Sequence, residues 1–352
     1  MSQLWSPAVR ELTPYIPGEQ PRERLIKLNT NENPYPPAPG VEKVLREFSA
    51  DHLRRYPDPT SNALRAALAK ALGTDVAHVF VGNGSDEVLA LAFQAFFRQD
   101  KPLAMPDISY SFYPVYCRMY AIESQSFPLD DEWRVDLDAL AASDNGGIIF
   151  ANPNAPTGHG HGRAAIEALL QKVQDRVVLV DEAYVDFGGE SAVPLVDKYP
   201  NLLVTGTFSK SRSLAGMRLG YAVGSPELVE GLTRVKDSFN SYPVDALASA
   251  IGIAALEDVD HFEATQQAVI TTRERTSQQL SKLGFKVLPS QTNFVLASHP
   301  EQDAAQLFLG LRERGVLVRH FNTATLRDWL RITIGTDDEM DSLIEVLSEL
   351  CR

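Results

Sequence analysis

Cysteine is scarce: only Cys117 and Cys351 occur in 352 residues, and neither stands in a CxxC or Cys/His spacing. That excludes a disulfide framework and signals no zinc site, so no metal is expected and a reducing cytoplasm suits the chain. Long hydrophobic runs are missing as well. No stretch approaches bilayer-spanning length, and Met1-Ser2-Gln3-Leu4-Trp5-Ser6-Pro7 lacks the basic flank and apolar centre of a signal peptide. A soluble, cytoplasmic protein with no membrane partner is expected. Positive charge is also in deficit, 33 Lys and Arg against 46 Asp and Glu, for a net charge of -13. A protein that grips nucleic acid by its phosphates needs a basic face, so nucleic acid is not an expected partner. An anionic small molecule would have to be held by a few well-placed Arg or Lys side chains.

What is present is the composition of a packed globular protein, 44% apolar and 22% charged. The length favours two unequal domains with room for a cleft between them. Residues 1–40 are rich in proline and read as an arm that lies across a surface. From there to 245, helical stretches such as 62–72 and 87–97 alternate with apolar runs at 79–81, 147–150, 177–180 and 202–205. This predicts an α/β domain over 41–245, a mostly parallel central sheet with helices on both faces. Residues 246–352 read as a smaller α/β domain, entered through a long helix near 245–275, with apolar runs at 285–288, 293–296, 316–318 and 330–334 and a closing helix from Asp337.

In parallel sheets ligands gather at the carboxyl ends of the strands, and several predicted ends carry polar residues that a core would not need. Val81-Gly82-Asn83-Gly84-Ser85-Asp86-Glu87 turns from strand to helix through two glycines. Such a turn can bind a phosphate through free N–H groups and the positive helix end, although an ordinary cap by Ser85 or Asp86 accounts for it equally. Asp181 ends an apolar run and would be poorly solvated, which suits a carboxylate facing a protonated pyridine; a helix cap or a metal ligand is the plainer alternative. Lys210 follows another strand in Gly206-Thr207-Phe208-Ser209-Lys210, 29 residues after Asp181, with Arg218 eight residues beyond. A lysine amine can condense with a carbonyl cofactor and later shuttle a proton, while Ser209 and Arg218 can hold a phosphate. Tyr184 could donate to a ring oxygen and Tyr110 could stack on a ring face, although either could be plain packing. Asn154, in Pro153-Asn154-Ala155-Pro156-Thr157-Gly158, is available as a donor to the same oxygen, or as a turn residue.

With these residues assembled, the chain resembles the fold-type I pyridoxal-phosphate enzymes of aminotransferase class I/II, and within them the histidinol-phosphate branch. The resemblance spans nearly the whole chain, through Leu12-Thr13-Pro14-Tyr15, Leu28-Asn29-Thr30-Asn31-Glu32-Asn33-Pro34, Arg55-Tyr56-Pro57, Gly84-Ser85-Asp86-Glu87, Asp181-Glu182-Ala183-Tyr184, Ser209-Lys210, Ala215-Gly216-Met217-Arg218 and Leu330-Arg331-Ile332-Thr333. It implies pyridoxal 5'-phosphate as cofactor, joined to Lys210, with Asp181 on the pyridine nitrogen, Tyr184 on the ring oxygen, and Ser85, Asp86, Ser209 and Arg218 around the phosphate. Tyr110 would stack on the ring, and Tyr56 would reach the cofactor phosphate of a second subunit, making the active unit a homodimer. Arg331 would anchor a substrate carboxylate, with Arg319, Tyr15 and Asn29 completing the substrate site. One departure from the family pattern is Ala155, where Asn usually precedes Pro-Thr-Gly; Asn154 or Asn152 is the expected substitute.

The implied reaction is ping-pong transfer of an amino group between the pairs glutamate/2-oxoglutarate and histidinol phosphate/imidazole acetol phosphate. An aromatic-amino-acid aminotransferase and a pyridoxal-phosphate-dependent phosphothreonine decarboxylase share the same cradle and are the rival readings. A regulator would need a DNA-binding module, which the proline-rich 1–40 segment does not supply.

Overall fold

The computed structural model describes residues 3–23 and 25–352. Met1 and Ser2, at the head of the segment read as lacking a leader, lie outside the described residues. The apolar runs between 79 and 224 become strands of one seven-stranded sheet, in the spatial order Val79–Asn83, Leu219–Gly224, Leu202–Thr207, Val178–Asp181, Gly147–Ala151, Leu103–Pro106 and Ser124–Phe127. Leu219–Gly224 runs antiparallel to both neighbours; every other adjacent pair is parallel.

Period-two alternation divides each central strand between two cores. Ile149, Leu179 and Leu203 face the helices Gly84–Phe96, Tyr113–Tyr120 and Pro226–Asp237 through Val88, Phe93, Tyr116 and Leu232. Ile148, Phe150, Val178, Val180 and Val204 face the opposite layer, where Ile166 and Leu170 of Arg163–Lys172 and Leu140 of Leu137–Ala142 cover them. With both faces sealed, only the strand ends are left to carry polar chemistry.

The helix read over 62–72 is Asn62–Leu72, closed by Gly73 in the left-handed conformation. The helix read from Glu87 begins three residues earlier, at Gly84. There φ is +78°, so the chain can leave the strand and enter the helix without spacer residues. The single connecting helix expected near 245–275 is two, Ala246–Glu257 and Val259–Lys282. Asp258 breaks them apart and caps the second by accepting from the His261 backbone N–H at 3.1 Å.

Beyond them, Arg319–His320, Leu330–Thr333, Phe294–Ser298 and Lys286–Val287 form a four-stranded antiparallel sheet in that order. Leu307, Leu311, Leu343 and Leu347, from the helices Ala304–Glu313 and Asp337–Leu350, pack on it. The run read at 316–318 splits. Val316–Leu317 pairs in parallel with Ile26–Lys27, and Arg319–His320 joins the four-stranded sheet. The later part of the proline-rich segment is therefore built in rather than laid on: Leu28 is buried in the same core as Val295 and Ile332. The short helix Pro7–Glu11 buries nothing and keeps the character of an arm. Among the described residues no helix is long and apolar enough to cross a membrane, and no group of His, Cys, Asp and Glu could hold a metal ion.

Candidate active site

A cavity of about 780 Å³ lies between the two sheets, at the carboxyl edge of the parallel strands. Tyr15, Asn29, Tyr110, Tyr184, Lys210, Arg319 and Arg331 line it. It adjoins a recess of about 180 Å³ bounded by Ser85, Asp86, Asp181, Ser209 and Arg218, and Tyr184 and Lys210 belong to both.

Lys210 stands three residues past the end of Leu202–Thr207, on a turn fastened from several sides. The Ser209 N–H donates to Thr207 Oγ1 at 3.1 Å, and Asn33 Nδ2 donates to the carbonyls of Lys210 and Ser211 at 3.0 and 3.3 Å. The Ser211 hydroxyl is bonded to the half-buried Asp186 carboxylate. The lysine amine itself donates to the Thr30 carbonyl at 3.2 Å.

Asp181 closes the neighbouring strand, is 4% exposed, and accepts from the Tyr113 hydroxyl at 2.9 Å and the Thr205 hydroxyl at 3.3 Å. Burial pushes its carboxyl up to about 6, against the pull of those hydrogen bonds. Among the described residues no cationic side chain is paired with it. Glu182 is raised further, to about 8, again by burial. Its oxygens are taken by Ser191 and the Ala192 N–H, so it holds a turn and does not face the cavity.

The start of Gly84–Phe96 forms the floor of the recess, and backbone crowding there is severe. A Cβ on Gly220 would sit 2.3 Å from the Ser85 nitrogen, and one on Gly84 would sit 2.7 Å from Arg218 Nη2. Two glycines thus bring a helix amino end and a guanidinium together. Arg218 Nη2 donates to Asp86 Oδ2 at 3.0 Å, and the Tyr110 hydroxyl donates to Asp86 Oδ1 at 2.8 Å. Burial, reinforced by Asp86, keeps the Tyr110 hydroxyl protonated.

Arg331 projects from Leu330–Thr333 into the larger cavity. Nη2 donates to the Asn29 carbonyl at 2.7 Å, while buried Nε has no hydrogen-bond partner among the described residues. A buried guanidinium with an unused donor is half of an anion site. Arg319 lies over the Phe321 ring at 5.4 Å, and the Tyr15 ring packs 4.9 Å from Phe112 at the mouth.

Two expected residues are not brought to the cavity. Asn154 is committed elsewhere: Nδ2 donates to the Ile108 carbonyl and Thr157 Oγ1 at 2.9 and 3.2 Å, and Oδ1 accepts from Ser109 at 2.8 Å. Asn152 is likewise occupied with the His161 backbone. The lining position in this loop is Ala155, so the donor expected from Asn154 is corrected to none. Tyr56 is 83% exposed and stacks on Tyr242 at 4.7 Å, outside the cavity. Conversely, sequence reasoning passed over Thr30, Asn31, Asn33 and Tyr113. The asparagine run at 29–33 was a signal for the first three; the inward turn of Tyr113 had none.

The chain belongs to the aminotransferase class I and II family, whose model matches residues 23–347. It is similar over its full length, and that of its relative, to a histidinol-phosphate aminotransferase of Chromohalobacter salexigens, with 69% identity. Among solved structures it resembles the histidinol-phosphate aminotransferase of Sinorhizobium meliloti in complex with pyridoxal-5'-phosphate, with a TM-score of 0.91 and 26% identity over 100% of this chain and 98% of that one. An L-threonine-O-3-phosphate decarboxylase of Porphyromonas gingivalis is also similar, with a TM-score of 0.77 and 26% identity over 92% and 98% of the two chains. The fold alone therefore does not separate amino transfer from decarboxylation.

Proposed function

We propose that this protein is a pyridoxal 5'-phosphate-dependent aminotransferase of histidine biosynthesis, converting imidazole acetol phosphate and L-glutamate to L-histidinol phosphate and 2-oxoglutarate. The observation that carries the reading is the convergence of Lys210, buried Asp181 and the amino end of Gly84–Phe96 on one recess beside an unsatisfied Arg331. The donor set fits the cofactor. Asp181, short of a cation, suits the pyridine nitrogen; the backbone N–H groups of Ser85 and Asp86, with Ser209 and Arg218, suit the phosphate; Tyr184 suits the ring oxygen and Tyr110 the ring face. When bound, the cofactor supplies an electron-withdrawing ring that stabilises the electron pair left behind by the substrate α-proton.

The protein's own groups do the rest. Lys210 Nζ would hold the cofactor covalently until an incoming amine displaces it, and would then carry a proton from the substrate α-carbon. In the free protein the Thr30 carbonyl accepts a hydrogen bond from that amine. The Arg331 guanidinium would bind the carboxylate of glutamate in one half-reaction and the anionic end of the phosphorylated substrate in the other. Arg319, Tyr15 and Asn29 would favour the phosphate. Tyr56 lies too far out to serve its own cavity, and its exposed stack with Tyr242 suits an interface. In the homodimer so proposed, Tyr56 reaches the cofactor phosphate of the second copy.

Pure protein is given histidinol phosphate, phenylalanine or tyrosine, each with 2-oxoglutarate. Preferred glutamate formation from histidinol phosphate is expected. Equal or better turnover of the aromatic amino acids would overturn the substrate, and release of labelled carbon dioxide from carboxyl-labelled phosphothreonine without 2-oxoglutarate would overturn the reaction. Borohydride reduction of the holoprotein should label Lys210, and Lys210→Ala should fold yet lose both the label and nearly all turnover.

A further inference from the structure

Asn31 is 1% exposed and holds a left-handed φ of +57°. Its backbone is pinned at both ends: the N–H donates to Thr333 Oγ1 at 3.0 Å, and the carbonyl accepts from Asn293 Nδ2 at 3.0 Å. Because Thr333 Oγ1 receives that N–H, its own hydrogen is free to go to Asn31 Oδ1, 2.9 Å away. In that arrangement the amide oxygen faces Thr333, and Nδ2 faces the Tyr184 hydroxyl at 2.9 Å.

An amide nitrogen can only donate, so the Tyr184 oxygen must accept. The phenolic hydrogen is then turned away from Asn31, and the recess is the open direction. The Tyr184 ring cannot swing to escape this, since it is held edge-on to Phe294 at 5.1 Å. Part of the recess wall is Ala151, Ala155 and Ala183, none of which carries a side-chain donor. Tyr184 is left to serve a ring oxygen without help from that wall, and the direction of its one hydrogen matters accordingly.

We propose that Asn31 is a positioning residue that fixes the Tyr184 hydroxyl as a donor toward the ring oxygen of the cofactor, and that through Thr333 it ties this setting to the strand that carries Arg331. The inference rests on the cofactor assignment made above. A hydrogen bond donated to an ionisable oxygen favours the ionised form, so its loss raises the pH at which that form appears.

The test is a pH titration of the visible absorbance of the holoenzyme. Asn31→Gly tolerates the left-handed φ and removes only the amide. It should raise the midpoint by roughly 0.5 to 1 pH unit, the equivalent of one ordinary hydrogen bond. Tyr184→Phe should raise it at least as much, and the two substitutions together should give no more than Tyr184→Phe alone. Ala155→Asn, which sets a donor on the alanine wall, should bring the Asn31→Gly midpoint back down. An unmoved midpoint in Asn31→Gly, or shifts that simply add in the double variant, overturns the proposal. Should Asn31→Gly fail to load, isosteric Asn31→Asp is titrated instead. Its carboxylate takes the Tyr184 hydrogen, so its shift must be larger with Tyr184 present than in combination with Tyr184→Phe, and equal shifts overturn the proposal. A wild-type protein that gains no absorbance with the cofactor defeats the assigned function; one that loads normally while Asn31→Gly titrates unchanged defeats only this inference.

Discussion

Replacing Asp181 by Asn removes a buried charge while keeping the shape of the side chain. In the cofactor-free protein that charge is a burden. The carboxyl moves from 3.8 to about 6 on folding, and at 1.36 kcal/mol per pH unit this costs about 3 kcal/mol once the group is ionised in both states. The sign follows from proton counting. Between the two values the native state binds more protons than the unfolded chain, so stability falls as pH rises from about 4 to about 6 and stays low above. Asn accepts from Tyr113 or Thr205 but not from every donor that Asp181 satisfies, and one lost bond returns about 1 kcal/mol. Cofactor-free Asp181→Asn should thus be about 2 kcal/mol more stable than wild type near neutral pH, with the order reversing near pH 4. Chemical denaturation of both proteins across that range measures the gap. Glu182, raised to about 8 chiefly by burial and least by the Asp181 charge, is relieved of that last cause in the Asn variant, which widens the gap in the same direction. A gap that does not change with pH, or an Asn variant that is weaker near neutrality, would refute the reasoning. The same substitution should weaken cofactor binding, because the pyridine nitrogen then loses its counter-charge.

Arg331→Met should raise KM for glutamate roughly 10- to 100-fold in steady-state assays, the loss of a charge-assisted contact; an unchanged KM would move the anchor elsewhere. Gly84→Ala places a Cβ 2.7 Å from Arg218 Nη2 at a φ of +78°. Its cofactor dissociation constant, read by absorbance titration, should rise at least tenfold with little effect on KM. Mixing Lys210→Ala with Tyr56→Phe should recover part of the activity that each lacks alone, because one site of the mixed dimer keeps both residues; no recovery would argue against Tyr56 acting across an interface.

The large sheet was legible because its strands are buried on both faces and read as unbroken apolar runs, with Ile148 to Phe150 and Val177 to Val180 as the plainest cases. Leu219–Gly224 was not singled out, since nothing in Leu219-Gly220-Tyr221 marks an antiparallel strand inserted beside a parallel set. Ser124–Phe127 escaped notice because an exposed edge strand carries no apolar signal. Lys210 and Asp181 were readable from their places at strand ends, and Arg218 from its spacing eight residues beyond Lys210. Asn154 was not: its side chain was free to bond in sequence, and only packing shows Ile108, Ser109 and Thr157 already claiming it. Tyr113 escaped for the opposite reason, since a tyrosine in an aromatic-rich helix gives no hint that its hydroxyl reaches a carboxylate 68 positions away.

The register Ile26↔Val316 brings the beginning of the polypeptide to a segment made near its end. During translation, then, Asn31 and Asn33 can meet Tyr184, Lys210 and Ser211 early, but Ile26 to Asn31 lack their partners among residues 316–333 until those have left the ribosome, so a nascent chain can assemble its large sheet before it can close its catalytic pocket. Premature termination before residue 316 should therefore yield a product that has secondary structure and no working site.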